Sequence, residues 1–243
     1  MHKINLGNID VDVALKNIKN VHLSVNPPFG KVRIAAPNRM DLETIRIFAI
    51  SKLSWIKRHR RKMFNQERES IKEYKTRESH YLFGKRYLLK VVKDEQKPQV
   101  IVKNDTIIIK VRSSADKNHR HTILQEWYRA QLRDVSSNII KKWEKKMNLK
   151  IEDFGIRKMK TRWGSCNQQS KKIQINLELV KKPLECLEYI IVHEMVHLIE
   201  RKHNERFIAY MNKFLPNWKA YKEELRRLPI SSYLIKDGDE DDK

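Results

Sequence analysis

The chain has 243 residues, of which 52 are basic and 30 acidic, for a formal net charge of +22. Hydrophobic residues make up 40%, a globular composition that excludes a disordered or fibrous chain and leaves room for one or two cored domains. The charge predicts attraction to polyanions, either nucleic acid or an acidic partner. No apolar run reaches the length of a bilayer span, and Met1-His2-Lys3-Ile4-Asn5 lacks the apolar stretch of a signal peptide. Two cysteines, Cys166 and Cys186, form no disulfide framework and suit a reducing compartment. The expected location is the cytoplasm, without membrane association.

The first third reads as β-rich with one long helix. Ile9, Val11 and Val13 alternate with polar residues, as in a half-buried strand, and Val21–Val25 repeats the pattern. Asn26-Pro27-Pro28-Phe29-Gly30 is a turn signal, and Lys31–Ala35 follows as a partner strand that Pro37 ends. Asp41 is placed to cap a helix whose stripe of Ile45, Phe48, Ala49, Lys52 and Ile56 runs to about Met63. The run Lys57-Arg58-His59-Arg60-Arg61-Lys62 fits either a nucleic-acid contact or a solvated helix end, where cations suit the dipole. Residues 65–79 are polar and without apolar period, as in a linker or an exposed helix.

A second β-rich stretch follows. Tyr81–Phe83 and Arg86–Val92 flank Gly84-Lys85, and Gln99–Val102 and Thr106–Ile109 flank Asn104-Asp105, giving two hairpins. From about Asp116 to Met147 the pattern becomes helical, with Ile123, Trp127, Leu132, Val135, Ile139 and Trp143 as the core face. Trp127 and Trp143 can stack on bases, but this spacing favours a place in the core. Ile156–Trp163 and Lys171–Leu177 read as two strands joined by Asn167-Gln168-Gln169-Ser170. Pro183 opens a helix at its first position, with Leu184, Leu187, Ile191, Met195 and Leu198 as the buried stripe. A helix through Phe207 and Phe214, a break at Pro216 and a further helix to about Leu228 complete the pattern. Asp237–Asp242 lacks the distal Glu of a calcium loop and reads as an acidic, disordered tail.

The chemistry lies in His193-Glu194-Met195-Val196-His197. Residues four apart share a helix face, so both imidazoles meet one point. With nine histidines in the chain, chance gives about 0.02–0.03 such motifs, so the match is informative. Three neutral imidazoles suit zinc and leave one position for water. His203, six residues beyond His197, is the expected third ligand, and Glu200 is its rival. Glu194 is adjacent to the first ligand, where it can take a proton from water that zinc acidifies and pass it to a leaving amine. The bland alternative is a pair of surface histidines on an amphipathic helix.

Arg162-Trp163-Gly164-Ser165-Cys166, Ile175-Asn176-Leu177, Pro183 with Tyr189 and Val192, the His193–His197 motif and His203-Asn204-Glu205-Arg206-Phe207 together resemble the YgjP-like metallopeptidases, relatives of the SprT-type zincins. The resemblance is strongest over residues 155–225 and looser in Lys31–Pro37, Lys52–Ile56 and Tyr81–Tyr87. It departs at Ile208, where the family often carries Trp. It implies a small zincin core, a short sheet packed on the metal helix and a supporting helix. It also implies Zn2+ on His193, His197 and His203, with Glu194 as the catalytic base. The expected class is therefore α+β: a β-rich accessory region over 1–112, a zincin-like domain over 113–230 and an acidic tail over 231–243. Arg162, Trp163 and Gly164 are expected to bind an extended substrate at a strand edge, with Gly164 allowing close backbone approach. Alternatively Trp163 packs the core and Gly164 makes a bulge. Arg162, Arg206 and Tyr210 are candidate donors to the transition state.

The expected function is hydrolysis of peptide bonds in a protein or peptide substrate. Two alternatives remain: a zinc hydrolase of a non-peptide amide or ester, and a basic nucleic-acid-associated protein with a structural zinc site. Relatives of the SprT type act on DNA-bound proteins, a setting that the charge would suit. The intact Glu194 speaks against a purely structural site.

Overall fold

A computed structural model describes residues 2–26, 30–65, 72–159 and 162–227. Lys62–Asn65 are described as helix backbone only. The Pro27-Pro28-Phe29 turn, the acidic tail and much of the expected linker lie outside these residues. The fold is α+β and divides by contact into two compact units, one within residues 1–70 and the other within 71–228. Strands placed by composition in a 1–112 region thus share a core with the helix that carries His193 and His197.

The first unit is a four-stranded sheet with two helices. Its strands are β1 (His2–Asn5), β2 (Asp10–Lys16), β3 (His22–Asn26) and β4 (Lys31–Pro37), in the order β1-β2-β4-β3. Strand β4 pairs β3 antiparallel, as expected from the Lys31–Ala35 pattern, and β2 parallel. Val11, Val13, Val32, Ile34, Ile45, Ala49 and Ile56 form its core. Asp41 caps α1 (Leu42–Ser51) by accepting from the Thr44 N–H at 2.7 Å. The expected single helix is two. Ser51 Oγ donates to the Phe48 carbonyl at 2.7 Å, competing with the helical ladder, and α2 (Leu53–Asn65) starts beyond Lys52. On α2, Trp55 and His59 stack with ring centroids 3.8 Å apart.

In the second unit β5 (Ser79–Leu82), β6 (Lys85–Lys93), β7 (Gln99–Lys103) and β8 (Thr106–Val111) form a sheet in the order β5-β6-β8-β7. Both expected hairpins form, and β6 runs parallel to β8. The hairpin turns need left-handed backbone, at Phe83, Gly84 and Asn104. Residues 77 and 78 continue the pairing along β6, through the Arg77 N–H to the Leu89 carbonyl and the Leu89 N–H to the Glu78 carbonyl. This portion of the expected linker is a turn, closed by the Glu78 N–H on the Lys75 carbonyl with Arg77 in the left-handed region, and not a helix.

Helix α3 (Lys117–Met147) is capped by Asp116 and closed by left-handed Asn148. Its buried stripe is Leu124, Tyr128, Leu132, Ser136, Ile140, Trp143 and Met147. Leu132 and Trp143 lie on it as expected, whereas at the other four positions the buried residue is the next one along, Leu124, Tyr128, Ser136 and Ile140. Ile123, Trp127, Val135 and Ile139 are partly buried on its shoulder. Trp143 is fully engaged, its indole N–H donating to Glu188 at 2.8 Å.

A second sheet of three strands has the order β10-β11-β9, with β9 (Asp153–Arg157), β10 (Gly164–Asn167) and β11 (Lys172–Asn176). The hairpin at Asn167–Ser170 joins β10 to β11, but Ile156–Trp163 is no single strand. β9 pairs one side of β11 in parallel and β10 the other side antiparallel, and the described residues between them, 158–159 and 162–163, belong to no strand. A short 3-10 helix (Leu177–Lys181) then leads to α4 (Leu184–Val196), α5 (Glu205–Phe214) and α6 (Trp218–Arg227). Among the described residues no helix is long and apolar enough to cross a membrane, and Cys166 and Cys186 are free thiols.

Candidate metal centre

Helix α4 carries the motif. Pro183 is its N-cap, one position earlier than expected, and the Pro183 carbonyl accepts from the Cys186 and Leu187 N–H groups. The start of α4 is set by the β5–β6 turn. A Cβ on Gly84 would stand 3.1 Å from Pro183, and the Phe83 and Gly84 N–H groups donate to the carbonyls of Val180 and Lys181. Leu187, Ile191 and Met195 are buried as the stripe predicts, whereas Leu184 is 43% exposed at the mouth of the first turn. Cys186, Tyr189, Ile190, Val192 and Val196 are buried too. A helix enclosed on nearly every side holds its axis by packing, each buried side chain stabilising by about 1.5–3 kcal/mol.

His193 and His197 stand one turn apart, and the chain turns back to bring His203 to them. One ligand atom from each of the three lies within 4.8 Å of the others, and His193 Nε2 and His203 Nε2 are 3.0 Å apart. Phe207 lies beneath all three imidazoles, its centroid 4.9, 4.8 and 4.7 Å from those of His193, His197 and His203. The Phe207 N–H is held by Asn204, the N-cap of α5, at 3.0 Å. Tyr189 abuts His193 edge-on and stacks on Trp218 of α6.

The surroundings orient the rings. His197 Nδ1 is 3.1 Å from the Glu200 carbonyl, so its N–H donates there and Nε2 is the nitrogen that could serve a cation. Gln168, in the β10–β11 turn, donates from Nε2 to the His197 carbonyl. These two contacts have no sequence signal, because each ends on a backbone carbonyl whose position only the fold sets. The Glu200 carboxylate accepts from the Lys202 N–H at 3.2 Å and pairs with Arg206 at 3.8 Å. The converging cluster holds His203 and not Glu200. Three neutral imidazoles with one ring nitrogen each turned inward fit a borderline divalent cation such as zinc.

Glu194 faces the β10 side and is 6% exposed. A Cβ on Gly164 would fall 2.6 Å from Glu194 Oε1, so the glycine leaves the space that the carboxylate fills. Burial pushes the Glu194 carboxyl up to about 8, against the positive charge of Arg162, which acts downward. Burial and the nearby Glu194 charge push the Cys166 thiol up to about 11, keeping it protonated.

Gly164 is thus buried against the Glu194 carboxylate, Trp163 is half-buried against the core, and Arg162 is exposed with its charge felt at Glu194. Gly164 pairs with Ile175 in regular register rather than as a bulge. Of the other candidate donors, Arg206 pairs with Glu200 and Tyr210 stacks on Phe214. β10 forms one side of its sheet, and among the described residues no strand pairs its outer edge.

No curated protein matches the chain. Solved structures share part of it, two metallopeptidase zymogens among them. The metallopeptidase zymogen abylysin of Pyrococcus abyssi is 17% identical, with a TM-score of 0.35 over 37% of this chain and 90% of that one. The metallopeptidase zymogen jannalysin of Methanocaldococcus jannaschii is 20% identical, with a TM-score of 0.32 over 39% of this chain and 92% of that one. The YgjP-like metallopeptidase domain matches residues 19–228. The chain therefore belongs to the YgjP-like family and is a metal-dependent peptidase.

Proposed function

We propose that the protein is a zinc peptidase in which His193, His197 and His203 hold the ion and Glu194 is the general base. The single observation that carries this reading is the convergence of three imidazoles beside a buried carboxylate one residue along the same helix. Zinc held there supplies Lewis acidity, polarising the scissile carbonyl and acidifying water. Glu194 takes the proton of the attacking water and delivers it to the leaving amine as the C–N bond breaks. Its burial keeps competing solvent away and leaves the carboxyl ready to hold a proton.

The unpaired edge of β10 supports an extended peptide as the substrate. A peptide laid along that edge exchanges main-chain hydrogen bonds with Gly164–Asn167 and passes Glu194 at Gly164. Arg162 and Trp163 flank the entry to the edge. This register favours a peptide over a compact amide or ester. The free cysteines suit a cytoplasmic setting. A nucleic-acid partner rests on the charge of +22, the Lys57–Lys62 run and the SprT resemblance, and a salt-series duplex-binding assay tests it.

The test pairs wild type with Glu194→Gln, both zinc-loaded, on casein and a peptide library. Cleavage falls by about 10²–10⁴-fold in the variant while zinc content stays equal. Equal cleavage by the two proteins refutes the assignment.

A further inference from the structure

Asn176 ends β11 and is fully buried. Its side-chain N–H groups donate to the carbonyls of Met159 at 3.1 Å and Arg162 at 2.7 Å. Its side-chain oxygen accepts from the N–H groups of Glu178 at 3.2 Å and Met159 at 3.5 Å. Its backbone N–H donates to the Trp163 carbonyl at 2.9 Å. One side chain thus spends its whole hydrogen-bonding capacity on backbone, which only an amide with both donors and an acceptor can do.

These bonds bracket the crossing from β9 to β10. The described residues of that crossing belong to no strand, and Lys160 and Thr161 lie outside the described set. Asn176 ties the crossing to β11, at Met159 on one side and at Arg162 and Trp163 on the other. The next residue, Gly164, is the one that lies against Glu194.

We infer that Asn176 is a positioning residue for the peptidase. It fixes the entry to β10, and so sets where the Gly164 backbone meets the Glu194 carboxylate and where an extended substrate lies along the edge. The inference rests on the proposed use of that edge. Asp at this position has no donor and turns an oxygen toward two carbonyls. Leu fills the space but leaves the buried carbonyls of Met159 and Arg162 without their partner.

The test uses full-length, zinc-loaded wild type, Asn176→Ala and, in case that variant does not fold, Asn176→Ser. Acetohydroxamate reads zinc alone, and a tetrapeptidyl hydroxamate reads zinc plus the strand edge. Hydrogen exchange reads the backbone. In the variants zinc stoichiometry and acetohydroxamate affinity match wild type, tetrapeptidyl hydroxamate binds about tenfold or more weakly, and exchange rises at 162–166 but not in α4. Unchanged tetrapeptide affinity in a folded variant overturns the inference. So does an equal weakening of both ligands with exchange raised throughout the unit, the mark of a merely structural residue. Wild type that binds acetohydroxamate but gains nothing from the peptide overturns the edge reading itself. Wild type that binds neither overturns the zinc reading.

Discussion

Replacing Gly164 with Ala tests the contact between β10 and Glu194, the proposed base. The backbone accepts the change, since Gly164 lies in a strand and outside the left-handed region. Removing a glycine also restricts the unfolded chain, which stabilises by about 0.4–1 kcal/mol. The new Cβ, however, would stand 2.6 Å from Glu194 Oε1, 2.8 Å from Cγ and 2.9 Å from Cδ. The carboxylate must retreat by about 1 Å inside a closed site, and such overpacking costs about 1–3 kcal/mol. The net loss of stability is then about 0–2.6 kcal/mol, and the melting temperature falls by at most about 10 °C. Catalysis suffers more, because a reacting group displaced by about 1 Å costs on the order of 100-fold, or about 2.7 kcal/mol of transition-state stabilisation. The assay is steady-state cleavage of fluorescein-casein, with zinc content and melting temperature measured on the same preparation. If Gly164→Ala keeps full zinc and more than half of wild-type kcat, the placement of the base against this strand is wrong.

Three further outcomes are expected. His203→Ala loses bound zinc on dialysis while Glu200→Ala retains it, and the reverse pattern refutes the ligand set. Gly84→Ala, at a φ of +81° and 3.1 Å from Pro183, destabilises by about 1–3 kcal/mol in urea unfolding, because it strains the turn and pushes on the start of α4; an unchanged midpoint refutes that docking. Burial, with help from Lys72 and Lys181, holds the His80 imidazole down at about 3. The folded protein therefore excludes a proton that the unfolded chain takes up below a pH of about 6.5. That contribution to stability is fully present above this pH and falls by up to about 1.4 kcal/mol per unit as the pH drops toward 3. His80→Leu should flatten the stability profile between about pH 4 and 6 relative to wild type; parallel profiles overturn the assignment.

Much of this protein is local and therefore legible in the sequence. The helix that carries the motif follows from Pro183 and a run of Leu, Ile and Val. The Gly84 and Asn104 turns announce their hairpins through left-handed backbone that few residues accept. His193, Glu194 and His197 are related by one turn of helix, so their spacing alone places them together. Local patterns fall short where a non-local choice decides. Four positions of the α3 stripe lie one residue beyond the hydrophobic spacing, because packing buries Tyr128 and Ser136, which that spacing does not count. Nothing in the segment 156–163 records that β9 and β10 lie on opposite sides of β11.

The site divides the same way. Sequence determined which residue types stand on the metal helix, since helical periodicity is a property of the backbone. Tertiary structure decided the rest. The chain reversal that returns His203, the Phe207 floor, the Glu200 and Gln168 contacts to His197, and the meeting of Gly164 with Glu194 all join residues distant in sequence or end on backbone atoms. Such contacts depend on how helix and sheet pack, and packing is fixed by the sum of many weak burials that no short motif encodes.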